Sequence, residues 1–127
     1  MSKRILIADP PESDRRLAAI LSGHELVFVR SLAEALRTLR ERRFDLVLVG
    51  VHFDESRMFD LMREVGEGMQ VVCVRCQQFQ SPAITLEGLE IAAKALGCTL
   101  FLDLTWYADD ETGNSAVRQL LDALLSS

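Results

Sequence analysis

Short runs rich in Val, Ile and Leu alternate along the chain with longer stretches of helical period, and this alternation predicts an α/β domain on a doubly wound, five-stranded parallel sheet. Two further observations narrow the class. The third run, from Phe44 to Val51 (FDLVLVGV), is apolar almost without alternation, as a central strand covered by helices on both faces requires. The chain has 127 residues, 49% hydrophobic and 26% charged, with seven glycines and three prolines; this fits a single domain over residues 1–127 and excludes a disordered or low-complexity chain.

Each element follows from its own residues. Arg4 to Asp9 (RILIAD) is the first predicted strand, and Glu12 to Ser22 then places Leu17, Ile20 and Leu21 on one helix face, with Gly23 as its stop. Glu25 to Val29 (ELVFV) is the second strand. Ser31 is placed to cap the next helix, Glu34 three residues later completes a capping box, and Leu32, Leu36 and Leu39 form the inward stripe. Arg37, Arg40, Arg42 and Arg43 fall on the far side and are expected to be a solvated face. After the third strand, Met58, Leu61, Met62 and Val65 mark a helix closed by Gly66 and Gly68. Gln70 to Val74 (QVVCV) is the fourth strand, and Ile84, Leu86, Leu89, Ala92, Ala93 and Leu96 mark a helix closed by Gly97. Thr99 to Asp103 (TLFLD) is the fifth strand, and Val117, Leu120, Leu121 and Leu124 define the last helix. Right-handed crossovers wind these units into one sheet.

Charge and composition exclude several functions. Fourteen Lys and Arg against nineteen Asp and Glu give a formal charge of -5, which supplies no electrostatic footprint for phosphate backbones or anionic lipid. Direct nucleic-acid binding is therefore not expected. No run approaches the roughly 20 apolar residues of a membrane span, and MSKRILIADP meets charge and proline too early for a signal peptide, so a cytoplasmic location is expected. Three cysteines, an odd number, fit a reducing compartment rather than a disulfide framework.

In a doubly wound sheet the chemistry lies at the carboxyl ends of the strands. Those ends read Asp9, Pro10, Pro11; then Gly50, Val51, His52, Phe53, Asp54; then Arg75, Cys76; then Asp103, Leu104, Thr105. With DLVLVGVHFDESRMFDLMR (Asp45 to Arg63), KRILIADPPESDRRLAAIL and ALGCTLFLDL in this order, the chain resembles the receiver domain of bacterial response regulators over nearly its whole length. The resemblance implies a flavodoxin-like (βα)5 fold with strand order 2-1-3-4-5. It also implies a place in two-component phosphorelay signalling, where a histidine kinase phosphorylates an aspartate after the third strand. That chemistry uses magnesium held by an acidic pair, a Ser or Thr after the fourth strand, and a Lys after the fifth.

Carried onto this chain, the acceptor position is Gly50, the acidic pair is Asp9 and Pro10, the hydroxyl position is Arg75, and the lysine position is Leu104. Aspartyl phosphorylation needs a carboxylate nucleophile, Mg²⁺ prefers several hard oxygen ligands, and transfer depends on electrostatic stabilisation that leucine does not offer. The expectation is a degenerate receiver with no metal, no cofactor and no enzymatic activity. Arg75 is expected to reach across the vacated pocket toward Asp9 or Asp103. Its functional alternative is a standing receptor for an anionic small ligand, and a further alternative is phosphorylation on a neighbouring carboxylate such as Asp54.

Other residues are expected to be structural. Cys73 to Cys76 spells CxxC, but in a strand residues three apart point to opposite faces, so buried inert thiols are expected, Cys98 included. His24 and His52 fall at opposite ends of their strands and share no metal. Two loops stand out. The segment Cys76 to Pro82, which carries Phe79, makes the fourth connection about seven residues longer than the receiver pattern it resembles, and Thr105 to Gly113 holds the only Trp and Tyr, Trp106 and Tyr107, beside three acids. In the receiver family the face made by the fourth helix, fifth strand and fifth helix docks partners, so Phe79, Trp106 and Tyr107 are the candidate partner-binding residues. The expected function is a phosphorylation-independent protein-interaction module, monomeric or weakly dimeric, with an unidentified protein partner.

Overall fold

The computed structural model describes residues 2–55, 57–65, 69–76 and 86–126. Five parallel strands, β1 (Arg4–Ala8), β2 (Glu25–Val29), β3 (Leu46–Gly50), β4 (Val71–Arg75) and β5 (Leu100–Asp103), lie in the order β2-β1-β3-β4-β5. Five helices cover them: α1 (Asp14–Ile20), α2 (Leu32–Glu41), α3 (Met58–Glu64), α4 (Leu86–Ala95) and α5 (Glu111–Leu125). Every residue of β3 and β4 is buried, as continuous apolar runs require when both sheet faces are covered.

Side chains alternate between two cores with the period of two that a strand imposes. Leu6, Ala8, Val47, Val49, Val71 and Cys73 face α2, α3 and α4, whereas Ile5, Ile7, Leu46, Leu48, Val72 and Val74 face α1 and α5. Burying each such Leu, Ile or Val stabilises the fold by about 1.5 to 3 kcal/mol.

Boundaries differ from the sequence expectation where local hydrogen bonding intervenes. The Pro10–Pro11 step forces a 3-10 turn over Pro11–Ser13, so α1 begins at Asp14 rather than Glu12. Gly23 and Gly97, at φ 93° and 101°, adopt the left-handed conformation that ends α1 and α4. Ser31 caps α2 by accepting from Glu34 N at 3.1 Å, but the Glu34 carboxylate returns to Arg30 N at 2.7 Å, one residue before the cap. Asp110, which lies outside the apolar pattern, caps α5 by accepting from Gly113 N at 2.8 Å. β4 extends to Arg75 because that residue pairs in register with Asp103 of β5. The predicted residues Gly66, Gly68, Phe79, Pro82 and Ile84 lie outside the described residues. No helix among the described residues is long and apolar enough to cross a membrane.

Candidate functional site

The strand order places the ends of β1, β3, β4 and β5 side by side, which brings Asp9, Gly50, Arg75 and Leu104 to one end of the sheet. Asp9, just past β1, is 3% exposed. Its Oδ2 accepts from Ser13 Oγ at 2.6 Å and from Cys76 Sγ at 3.4 Å. Burial pushes the Asp9 carboxyl above the usual carboxylate range; the hydrogen bonds from Ser13 and Cys76, and the nearby charges of His52 and Arg30, oppose that shift without cancelling it. Burial, then the Asp9 charge, pushes the Cys76 thiol up, so Cys76 is held protonated as a donor rather than as a nucleophile.

Gly50 explains where Asp9 finds room. A Cβ built on Gly50 would lie 1.7 Å from Asp9 Oδ1 and 2.2 Å from its Cγ, so the carboxyl group fills the space that any side chain at position 50 would enter. The missing side chain and the buried aspartate are one packing solution, not two separate departures.

On the other side of the site, Arg75 and Asp103 face each other as register partners with side chains 10% and 12% exposed. Arg75 Nε lies 3.2 Å from Asp103 Oδ2, an ionic contact without hydrogen-bond alignment. Thr105 completes a closed set: its Oγ1 accepts from Arg75 Nη2 at 3.2 Å and donates to Asp103 Oδ1 at 2.5 Å, and its backbone N donates to the same oxygen at 3.0 Å. Of the two partners expected for Arg75, the structure selects Asp103. Leu104, at the lysine position, is buried in the α1/α5 core.

Two further residues, Arg16 and Ser13, belong to this end of the sheet although no motif in the sequence marks them. From α1, Arg16 donates to Asn114 Oδ1 at 3.1 Å, Leu104 O at 3.0 Å, Tyr107 O at 2.8 Å and Ala108 O at 3.0 Å. Its guanidinium thus satisfies carbonyls of the turn after β5, the task for which a planar fork of donors is suited. The available signal was an arginine directly before the buried Leu17 on a short helix. Ser13 sits four residues after Asp9, within reach of a side chain returning through the 3-10 turn.

The remaining candidates divide. Asp54, in a left-handed conformation at φ 41°, accepts from Leu32 N at 2.7 Å and so ties the loop after β3 to the start of α2. His24 lies at the opposite end of the sheet from His52, its Nδ1 accepting from Lys3 N at 3.0 Å. Cys73 and Cys98 are buried, with Cys73 Sγ 3.6 Å from Met62 Sδ and Cys98 Sγ donating to Leu100 O at 2.9 Å. The two aromatics part company: Trp106 is 80% exposed, whereas Tyr107 is half-buried against the α1/α5 core, so of these two candidates Trp106 is the exposed one. Phe79 lies outside the described residues.

The residues at this end do not fit a divalent cation. Asp9 is the one carboxylate of the implied pair, its Oδ2 is taken by two donors, its Oδ1 is packed onto Gly50, and Asp103 is committed to Arg75 and Thr105. Among the described residues no three His, Cys, Asp or Glu side chains are placed to hold a metal ion. The cavity left here, about 120 Å³, is lined by Glu12, Ser13, Arg15, Arg16, Cys76 and Asp109, and mixes both signs of charge. A larger hollow of about 810 Å³ lies around His24 and Asp122, at the opposite end of the sheet from Asp9 and Arg75.

This architecture is that of response regulator receiver domains, a CheY-like α/β fold. A response regulator from Thermotoga maritima superposes with a TM-score of 0.76 at 16% identity over 100% of both chains. A CheY-like receiver domain protein from Methanospirillum hungatei JF-1 gives 0.73 at 18% identity over 99% of this chain and 95% of that one. The receiver domain of a sensor histidine kinase from Pseudomonas aeruginosa PAO1, with magnesium coordinated in its active-site cleft, gives 0.70 at 17% identity over 100% of both. No protein-family model matches the chain, and no curated protein matches it.

Proposed function

We propose that this protein is a pseudo-receiver: a phosphorylation-independent protein-interaction module of two-component-type signalling, working in the cytoplasm as a monomer or weak dimer and not as an enzyme. The observation that carries the reading is the Asp9 carboxyl packed into the space of a side chain at position 50. A pocket whose acceptor is absent, whose acid is buried and hydrogen-bonded, and whose remaining carboxylate is ion-paired supports a scaffold role over phosphoryl chemistry. The alternatives have less support, because Asp54 is engaged with the α2 backbone and Arg75 is already neutralised by Asp103.

With the pocket closed, the working surface is the face that includes Trp106, with Tyr107 as its half-buried support; Phe79, the third candidate, lies outside the described residues. An exposed tryptophan offers rigid apolar contact area at low entropy cost. Capture of protein partners from native lysate tests this: Trp106→Ala removes capture with the melting temperature nearly unchanged, and Asp9→Asn leaves capture intact. The reverse pattern returns the function to the pocket.

A further inference from the structure

The arginines on α2 and just past its end are left unexplained by the Trp106 surface. Arg37, Arg40 and Arg43 are exposed, and among the described residues none of their side chains makes an ion pair or hydrogen bond. Every other arginine except Arg57 is held by a carboxylate or a carbonyl, including Arg42, which pairs with Glu25. Interaction with the α2 dipole favours a cation in the last turn, which accounts for Arg40 but not for its neighbours. Like charges three residues apart on a helix cost about 0.2 to 0.5 kcal/mol per pair, so the series opposes folding slightly and needs a partner's charge to be useful.

Two of these cations border an apolar groove. A hollow of about 370 Å³ between α2 and α3 is lined by Leu36, Leu39, Arg40, Glu64, Val65 and Met69. The four apolar side chains are only half-buried, each packed against the core on one side and open on the other. Around the α2 helix, Arg40 follows Leu36 and Arg37 follows Arg40, so these two arginines stand on the α2 lip of the groove, whereas Arg43 lies past the helix end and lines a different hollow with Arg4, Glu25 and Asp45. Among the described residues Glu64 is the one acid lining the groove, and it stands on the α3 side, opposite the α2 lip on which a partner's carboxylates are welcome.

We propose that the α2–α3 groove is a second docking surface that takes an acidic amphipathic helix from a partner protein, with its apolar stripe against Leu36, Leu39, Val65 and Met69 and its carboxylates against Arg37 and Arg40. Charge complementarity selects this occupant, since a basic helix would meet the two unpaired cations Arg37 and Arg40. The surface is separate from the Trp106 face: α2 packs beside the edge strand β2, and Trp106 follows the other edge strand, β5. The two can therefore be occupied at once, and either can fail without the other.

The probe is a fluorescent synthetic helix with leucines at i, i+3 and i+4 spacing and glutamates elsewhere, compared with a scrambled peptide of equal composition, a lysine-for-glutamate version, and a single-stranded oligonucleotide of equal charge. Saturable anisotropy is expected for the acidic helix alone, with amide shifts at Leu36, Leu39, Val65 and Met69. Arg37→Glu with Arg40→Glu should weaken it about tenfold, and Arg57→Glu should leave it unchanged. All three substitutions are at exposed positions, and retained melting temperature confirms the fold. The proposal is overturned if the acidic helix does not saturate, if the scrambled peptide, lysine peptide or oligonucleotide binds as well, if the double reversal has no effect, or if the shifts gather around Trp106.

Discussion

Asp9 and Asp103 end two strands of the same sheet at the same end, and the structure buries them by opposite means. Asp103 is held by contacts: Arg75 stands beside it in register and Thr105 donates two hydrogen bonds to it. The Asp9 carboxyl is instead accommodated by space, the space released at Gly50, and by the Ser13 and Cys76 donors. One half of the receiver-type pocket is thus closed by charge pairing and the other by packing. Both carboxylates are engaged within the protein, and the two modes of closure respond differently to mutation and to pH.

The sharpest way to break this contrast is Gly50→Asp, which restores the acceptor type. Its Cβ would need the position of Asp9 Oδ1, so Asp9 must leave both donors, and two carboxylates are brought together in a buried site. A loss of about 2 to 4 kcal/mol is expected by denaturant unfolding, largely recovered when Asp9→Ala is added. Wild-type stability for the single variant would show that Asp9 moves aside freely and that the packing half of the comparison is wrong. Arg75→Ala probes the charge half. It leaves Asp103 buried with Thr105 alone, and about 1 to 3 kcal/mol is expected to be lost in the same measurement.

The smallest effect separates the two by pH. Because the folded-state pKa of Asp9 is raised, the folded protein binds the proton more tightly than the unfolded chain. Asp9 therefore costs stability above its folded pKa, and that cost disappears as pH falls toward the unfolded value. Asp9→Asn should accordingly be more stable than wild type at neutral pH, by no more than about 1 kcal/mol, with the difference vanishing in acid. Melting curves across pH check the sign; a variant less stable at neutral pH would mean that the Ser13 and Cys76 hydrogen bonds outweigh desolvation.

The fold was legible because its signals are local and repeated. The strand runs show continuous apolarity, the helices show 3.6-residue stripes, and Ser31 with Glu34 announces a helix start that the structure confirms, with the return contact shifted to Arg30. The site was legible only as positions. That Gly50, Arg75 and Leu104 meet at one end follows from strand order, but which acid Arg75 would choose depends on register, and Arg75 opposite Asp103 is a fact of strand pairing. The partnership of Asp9 with Gly50, and the four contacts of Arg16 across the turn after β5, are contacts between segments distant in sequence, which no periodicity encodes. Tyr107 shows the same limit: beside Trp106 in sequence, it turns inward because the 3-10 turn at Leu104–Trp106 sets neighbouring side chains in different directions.

The central claim, that the strand-end pocket is closed to phosphoryl chemistry, is tested most directly by amide NMR of the intact chain during titration with acetyl phosphate or beryllofluoride in the presence of Mg²⁺. The account predicts an unchanged spectrum at Asp9, Gly50, His52 and Asp54. Saturable shifts clustered around Asp9 and Asp54 would contradict it and move the function onto a carboxylate of the pocket.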